Sequence, residues 1–359
     1  MRQNVLDCDT VLLDDENSAL VIIDQTKLPG CIEMLSLTGL EETWEAIRLL
    51  KVRGAPAIGV AAAIGVYLAV KGAETGSMEE FKKEFQRAKG YLASSRPTAL
   101  NLFWALDRME AVVLHNMEQK VYQVKALLRQ EALRIRQEDI EVCRSIGEHG
   151  LALVKPGSGL LTHCNAGKLA AIKYGTATAP MYLGMERGYG FRIYVDETRP
   201  LLQGARLTAF ELQEAGMDVT LICDNMAGMV MKKGLVDAVF VGCDRVASNG
   251  DTANKIGTSV VAAVAKYYGI PFYVCAPTAT IDMSLQSGEE IPIEERGADE
   301  ITEMWYEKRM APEGVKAYNP CFDVTDHGLI DGIITEFGVA RAPYKESLGR
   351  IFDSKTRNQ

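Results

Sequence analysis

The stretch that most constrains the fold spans residues 236–258 and reads VDAVFVGCDRVASNGDTANKIGT. It opens with an almost continuous apolar run, which is typical of a strand buried on both faces of a parallel sheet. Asp244 follows at the predicted carboxyl end of that strand, and Asn254 and Lys255 lie beyond a glycine turn. Because ligands of open α/β sheets bind at this edge, the stretch predicts a site for a polar, phosphorylated small molecule.

Hydrophobic periodicity divides the chain into two predicted domains. Three short strand-like runs come first, and from residue 40 to about residue 153 apolar residues recur at helical spacing. After the turn KPGSG at residues 155–159, strand-like runs alternate with helix-length segments, which predicts βαβ units. We therefore predict an α/β protein. Its N-terminal domain, residues 1–154, has a small antiparallel sheet and a helical bundle, and residues 155–359 form a Rossmann-like parallel sheet with helices on both faces.

Composition and charge exclude several classes of function. The net charge of −9 disfavours a nucleic-acid-binding surface, which needs a basic patch. Eight scattered cysteines without a C-x-x-C pair, and four histidines without metal-ligand spacing, predict free thiols and no metal site. No apolar stretch has the length of a membrane span and no signal peptide opens the chain, so we expect a cytoplasmic protein without a membrane partner.

Two Arg-Pro segments in the N-terminal half could bind an anion. In KVRGAPAIG, Arg53 adds a positive charge while Gly54 and Ala55 leave room at the exposed N–H groups of a predicted helix start. A core helix that simply begins at a proline explains the same residues equally well. In SSRPTALN, Arg96 is either a second contact for a phosphate or hydroxyl group or a solvated arginine in a turn.

Two further segments follow predicted strands. Cys164, in LTHCNAG, opens a turn to a possible helix start that would favour the thiolate, which makes it a candidate acid/base or nucleophile. The alternative is a small residue that fills a strand end. In DETRPLLQGAR, Gln203 and Arg206 lie about one turn apart on a predicted helix, whereas Glu197 and Arg199 could form an ion pair that closes the loop.

The common nucleotide and hydrolase motifs are absent from the sequence. No G-x-G-x-x-G follows a strand, and neither a G-x-x-x-x-G-K-[ST] loop nor a G-x-S-x-G elbow occurs. The remaining candidates are ionisable residues at three strand ends and two Arg-Pro helix starts. These are the parts required for proton transfer on a phosphorylated sugar.

Six ordered segments resemble the methylthioribose-1-phosphate isomerases, which are aldose–ketose isomerases of methionine salvage. Their superfamily includes the ribose-1,5-bisphosphate isomerases and the regulatory subunits of the eukaryotic initiation-factor exchange factor. The segments are RGAPAIG at 53–59, SRPTALNL at 95–102, LTHCNAG at 161–167, ETRPLLQGARLTAFEL at 197–212, CDNMAG at 223–228 and GCDRVASNGDTANKIGT at 242–258.

This resemblance implies specific roles for the candidate residues. Asp244 would be the general acid/base, and Cys164 its partner in proton transfer or transition-state stabilisation. The substrate contacts would be Arg53, Gly54, Ala55, Arg96, Gln203, Asn254 and Lys255. The resemblance also implies a homodimer, a phosphorylated pentose as substrate, and no metal or nucleotide cofactor. Lys168 departs from the family pattern, in which a small residue more often follows the glycine.

The expected reaction converts 5-methylthioribose 1-phosphate to 5-methylthioribulose 1-phosphate. An acid must open the cyclic acetal, and hydrogen must then move from C2 to C1 through an enediol or as a hydride in a dry pocket. One alternative is an isomerase of 5-deoxyribose 1-phosphate or ribose 1,5-bisphosphate. Another is a non-catalytic regulator that senses sugar phosphates, although a sensor would need neither Cys164 nor Asp244.

Overall fold

The structure is a computed structural model that describes residues 8–97 and 99–358. Thr98, within the second Arg-Pro segment, lies outside the described residues. The backbone packs into two compact units. The first extends to Cys143 and includes Gly167–Gly175, and the second comprises Arg144–Ala166 and the chain from Thr176 onward. The domain boundary predicted after residue 154 stays a prediction.

The described part of the first unit contains the predicted antiparallel sheet and helical bundle. Its strands, in the order β1-β2-β3, are β1 (Val11–Asp14), β2 (Ala19–Ile23) and β3 (Met34–Leu37). Its helices are α1 (Leu40–Arg48), α2 (Ala55–Lys71), α3 (Met78–Ala93), α4 (Leu100–His115) and the beginning of α5 (Val121–Leu151). The prediction for this part of the fold is confirmed.

Helix α2 is the centre of the first unit. Its sequence APAIGVAAAIGVYLAVK is apolar all round, and most of its side chains are buried, which is typical of a core helix. Its small residues allow close helix packing, because a Cβ added at Gly59 would lie 2.9 Å from the carbonyl oxygen of Asn101 in α4. The first turns of α2 and α4 therefore lie side by side.

The described part of the second unit contains a sheet of seven strands in the order β14-β13-β10-β7-β4-β5-β6. These are β4 (Gly159–Thr162), β5 (Arg192–Asp196), β6 (Asp218–Ile222), β7 (Ala238–Val241), β10 (Phe272–Cys275), β13 (Gly332–Thr335) and β14 (Gly338–Ala340). All neighbours are parallel except β13 and β14. The helices of this unit are α6 (Ala179–Glu186), α7 (Ala209–Glu214), α8 (Ala227–Lys232), α9 (Thr258–Tyr268), α10 (Asp299–Thr302) and α11 (Tyr344–Asn358), together with the end of α5. The predicted parallel sheet is confirmed.

A second sheet in this unit was not predicted. Its order is β11-β8-β9-β12, with β8 (Arg245–Ala247), β9 (Thr252–Lys255), β11 (Ile281–Asp282) and β12 (Phe322–Thr325). The glycine turn predicted after Asp244 joins β8 to β9, which pair antiparallel. Strand β9 reads TANK, a polar sequence without an apolar alternation, and it becomes a strand because it pairs with β12 some seventy residues away. Among the described residues, no helix has both the length and the apolar character required to cross a membrane.

Gly54 determines where α2 begins. It precedes the helix with a φ of 89° and a ψ of 136°, a backbone conformation that only glycine adopts readily. A Cβ at this position would also lie 2.4 Å from the Cα and the carbonyl oxygen of Ala170 in the same unit. Both the backbone angle and the close approach therefore require glycine.

Gly54→Ala should lower the free energy of unfolding by about 2–4 kcal/mol, since it adds backbone strain and a steric clash. Gly72→Ala, at the other end of α2, is the matched control. Gly72 has a φ of −85° and nothing within 4 Å of an added Cβ, so the control should be neutral or slightly stabilising. Denaturant unfolding of both variants measures the difference, and equal stability of the two would contradict this explanation.

Candidate active site

The second unit brings three predicted segments to one edge of its main sheet. Strands β7, β4 and β5 are consecutive neighbours and run parallel, so their carboxyl ends lie together. Cys164 follows β4, Asp244 follows β7, and the loop to Gln203 follows β5. In open α/β sheets this edge is where ligands bind. The arrangement therefore provides a thiol, a carboxylate and an amide at adjacent strand ends.

Cys164 is held in place through its own backbone. The residue is 8% exposed and has a φ of 67°, which is uncommon for a residue other than glycine. Its N–H donates to Thr198 Oγ1 at 2.9 Å, and its carbonyl accepts from Thr208 Oγ1 at 2.6 Å. The helix start that the sequence suggested after Cys164 is wrong, since only a 3₁₀ turn at Lys168–Ala170 follows. The thiol is thus positioned by two threonine hydroxyls and not by a helix N-terminus.

Asp244 differs from its neighbour Cys243 in exposure. Its side chain is exposed, while its N–H donates to the carbonyl of Ala253 at 2.9 Å. The sulfur of Cys243 lies 3.2 Å from Thr280 Oγ1. Burial raises the pKa of this thiol to about 12. Cys243 therefore stays neutral and unreactive near pH 7, whereas the carboxyl of Asp244 can exchange protons with a ligand.

Asn254 and Lys255 are buried residues at the end of β9. The Asn254 side chain donates to Thr258 Oγ1 at 3.0 Å, and that hydroxyl donates to the Lys255 carbonyl at 2.6 Å. The Lys255 ammonium lies 4.6 Å from the centre of the Phe322 ring. None of the ion pairs between described residues involves Lys255. A buried cation without a carboxylate partner favours an anionic ligand.

Gln203 carries an unsatisfied polar atom. It is 6% exposed, and its Oε1 has no hydrogen-bond partner among the described residues. The next residues, Gly204–Thr208, form a π-helical turn, a feature found frequently at functional sites. A Cβ at Gly204 would lie 1.7 Å from the Asp196 carbonyl, so the turn packs directly on β5. Because burying an acceptor without a donor costs about 1–3 kcal/mol, Gln203 is suited to accept from a ligand hydroxyl.

The loop between β5 and Gln203 is closed by Asp224. Its two carboxylate oxygens accept from the N–H groups of Thr198 and Arg199, both at 2.7 Å. The ion pair considered between Glu197 and Arg199 does not form in this described loop, because the guanidinium donates to the carbonyls of Pro200 and Ile301. Three residues that support the site, Thr198, Thr208 and Asp224, were not predicted from the sequence. No local pattern identifies them, since they lie 25 to 44 residues from the groups they bind.

The remaining candidates belong to the first unit. Gly54 and Ala55 lie at the start of α2, directly after Arg53, and Arg96 precedes α4. Both arginines are half-buried, and the first turns of their two helices are neighbours. The two alternatives for α2 are therefore compatible, because a core helix also offers its N-terminal N–H groups beside arginines. Lys168 is buried in this unit too, and its carbonyl accepts from Thr10 Oγ1 at 2.9 Å.

The sequence matches well-defined relatives over nearly its whole length. Residues 51–342 match the model of the Initiation factor 2 subunit family. The methylthioribose-1-phosphate isomerase of Symbiobacterium thermophilum is 66% identical over 96% of both chains. That of Parabacteroides distasonis is 60% identical over 91% of this chain and 97% of its own. The 5-deoxyribose 1-phosphate isomerase of Petrotoga mobilis is 56% identical over 96% of this chain and 99% of its own.

Solved structures support the same relationship. The 5-methylthioribose 1-phosphate isomerase of Pyrococcus horikoshii superposes with a TM-score of 0.92, at 43% identity over 96% of each chain. The translation initiation factor eIF-2B, subunit delta, of A. fulgidus gives 0.87, at 42% identity over 96% of this chain and 99% of its own. The fold and the site together define the class: an α/β protein with ionisable groups at the carboxyl ends of adjacent parallel strands. This chain belongs to the Initiation factor 2 subunit family.

Thr198→Val should loosen the backbone around Cys164, because it leaves the buried Cys164 N–H without an acceptor. We expect a loss of about 1–3 kcal/mol in the free energy of unfolding and faster alkylation of Cys164 in the folded protein. Thr335→Val is the matched control, since this buried hydroxyl also donates to a carbonyl, that of Gly338, and accepts an N–H, that of Phe337. Quantitative mass spectrometry of the alkylated peptide measures the rate of Cys164 alkylation in both variants. Equal rates would contradict the assigned role of Thr198.

Proposed function

We propose that this chain is a methylthioribose-1-phosphate isomerase, which converts 5-methylthioribose 1-phosphate to 5-methylthioribulose 1-phosphate. The observation that carries the proposal is the placement of Cys164 and Asp244 at adjacent strand ends in a chain 66% identical to a relative of that name. The reaction is an intramolecular oxidation and reduction, in which C2 is oxidised and C1 is reduced. It therefore needs no external oxidant or reductant.

The proposed mechanism uses two proton-transfer groups. A 1-phosphate locks the sugar as a cyclic acetal, so an acid must protonate the ring oxygen while its bond to C1 breaks. Asp244 is the assigned general acid/base, supported by its exposed carboxyl group. Hydrogen then passes from C2 to C1, and Cys164 assists, supported by its buried, fixed position on the neighbouring strand end. Each such group typically contributes about 10²–10⁴-fold to the rate.

The proposed substrate contacts have complementary chemistry. Gln203 accepts from a sugar hydroxyl, supported by its unsatisfied buried oxygen. Asn254 and Lys255 bind oxygen atoms of the substrate, supported by the buried ammonium. We further assign phosphate contacts to Gly54 and Ala55 at the start of α2, and to Arg53 and Arg96, which precede α2 and α4.

We propose a homodimer that acts in the cytoplasm without a metal or nucleotide cofactor, with its domains divided after residue 154. Exposed apolar side chains on α8 and α9, including Met229, Val260 and Tyr267, support a subunit interface. The redox balance of the reaction supports the absence of a nucleotide cofactor.

A second candidate substrate is 5-deoxyribose 1-phosphate. Relatives of that name are 56% and 54% identical to this chain over at least 95% of its length. The two sugars differ only in the methylthio group at C5, so the same proton transfers serve both. The regulatory alternative is favoured less, because a sensor requires neither the positioned thiol nor the exposed carboxyl group beside it.

Asp244→Asn should lower kcat for methylthioribose 1-phosphate by about 10²–10⁴-fold while the substrate still binds, because the amide cannot transfer the proton. Asp218→Asn is the control, since Asp218 is an exposed carboxylate at the amino end of β6, on the opposite edge of the sheet. A coupled assay for the ketose product measures kcat, and calorimetry measures binding. Full turnover by the Asp244 variant would remove this residue from the mechanism, and loss of binding alone would reassign it to substrate recognition.

A further inference from the structure

His163, the residue before Cys164, links three segments of the second unit. It is 1% exposed and sits directly after β4. Its Nδ1 lies 3.0 Å from a carboxylate oxygen of Asp196 at the end of β5. Its Nε2 lies 2.9 Å from the carbonyl oxygen of Ile256, directly after β9. The ring therefore connects the strand end that carries Cys164 to two others.

The hydrogen-bond geometry determines how many protons this cluster holds. The carbonyl of Ile256 can only accept, so Nε2 of His163 carries a proton. Nδ1 then faces the Asp196 carboxyl group with one proton between them, as an imidazolium with a carboxylate or as an imidazole with a carboxylic acid. Without that proton two lone pairs would face each other at 3.0 Å in a buried site. The pair consequently retains a shared proton and has no net charge.

The environment of the pair supports the shared proton. Burial raises the pKa of Asp196, whose other oxygen has no partner among the described residues. Burial alone would lower the pKa of His163, but the hydrogen bond to Asp196 and the nearby negative charges of Asp196 and Asp224 together outweigh burial, so the pKa of His163 is raised. Because the pKa values of both groups are raised, the pair retains its proton. Asp196 is itself buried completely, so solvent does not replace the interaction.

A metal ion is a poor alternative occupant of this cluster. Asp224 lies near His163 and Asp196, and together they offer three potential ligand atoms within 4.8 Å of one another. Both ring nitrogens of His163 are already engaged, and both oxygens of Asp224 accept backbone N–H groups. Only one oxygen of Asp196 has no hydrogen bond within the described residues, so a metal would have to break hydrogen bonds of both His163 and Asp224.

The linked segments carry the proposed catalytic and binding residues. Two residues beyond Asp196, Thr198 accepts the Cys164 N–H. Ile256 directly follows Lys255, and a Cβ at Gly257 would lie 3.1 Å from the His163 ring. The ring thus packs against the turn that follows Lys255 while its own chain neighbour is Cys164. A change at His163 would shift the thiol and the ammonium relative to each other.

We propose that His163 is a positioning residue of the isomerase, and that its hydrogen bonds to Asp196 and to the Ile256 carbonyl hold Cys164 and Lys255 in fixed relative positions. This inference rests on the proposed function. It gives His163 no contact with substrate. Misplacement of reacting groups by about 1 Å can lower a rate about 100-fold, which sets the size of the expected effect.

Two substitutions at Asp196 distinguish the effect of the hydrogen bond to His163 from the effect of the carboxyl group itself. Asp196→Asn can keep both hydrogen bonds, because its amide N–H can donate to Nδ1 while Nε2 still donates to Ile256. Asp196→Leu has a similar size but removes the first hydrogen bond. We expect Asp196→Asn to retain most of the wild-type kcat/KM, and Asp196→Leu and His163→Leu to lose about 100-fold, with lower kcat and higher KM.

His149→Leu is the matched control for general loss of a histidine hydrogen bond. Nδ1 of His149 lies 2.9 Å from the Thr335 carbonyl in the same unit. This variant should lose stability without losing kcat. Wild-type kcat/KM in Asp196→Leu, or equal losses in Asp196→Asn and Asp196→Leu, would overturn the proposal. If His163→Leu fails to fold, the two Asp196 variants still decide.

Proton NMR tests the shared proton without any substrate. The wild-type protein should show an exchange-protected resonance far downfield of the amide region that correlates with the His163 ring, and Asp196→Asn should lose it. Absence of the resonance from the wild type would overturn the proposal. Failure of the wild type to convert the sugar would instead refute the proposed function, while the NMR result would still report on the pair.

Discussion

The pairing of β4 between β7 and β5 is the constraint on which the candidate site depends. All three strands run parallel, so the chain leaves each of them at the same edge. Every residue of β4 and β7 is buried, so charged groups can occur only where these strands end. Backbone pairing therefore concentrates the polar chemistry without any long-range attraction between the polar groups themselves.

Hydrogen bonds from backbone groups refine this coarse arrangement. Cys164 is fixed by two threonine hydroxyls, and the loop after β5 is fixed by the carboxylate of Asp224. Other polar groups near the edge are left for a ligand, because the buried Lys255 ammonium has no described carboxylate partner and Gln203 keeps an unsatisfied oxygen. A binding site is expected to combine residues whose hydrogen bonds within the protein are complete with residues whose polar groups still lack a partner.

The sequence predicted the strand ends better than their supports. Asp244 could be placed because an apolar run ends abruptly before it. The start of α2 could be placed because a proline, whose fixed φ suits the first helical turn, follows a glycine, which tolerates an irregular backbone. Strand β9 could not be predicted, since its polar sequence shows no apolar alternation and one of its two partner strands, β12, lies about seventy residues away. The partners of Cys164 and His163 were equally hidden, because they lie 33 to 93 residues away and leave no periodic signal.

We infer that this site isomerises a methylthio sugar phosphate. The most direct measurement is kcat/KM of the purified protein on methylthioribose 1-phosphate, 5-deoxyribose 1-phosphate and ribose 1,5-bisphosphate under identical conditions. We expect the highest kcat/KM for the methylthio sugar, with a preference over the 5-deoxy sugar of about 10- to 200-fold because the extra apolar group adds contacts. Binding of all three sugars without conversion of any would contradict this inference, as would turnover of the bisphosphate alone.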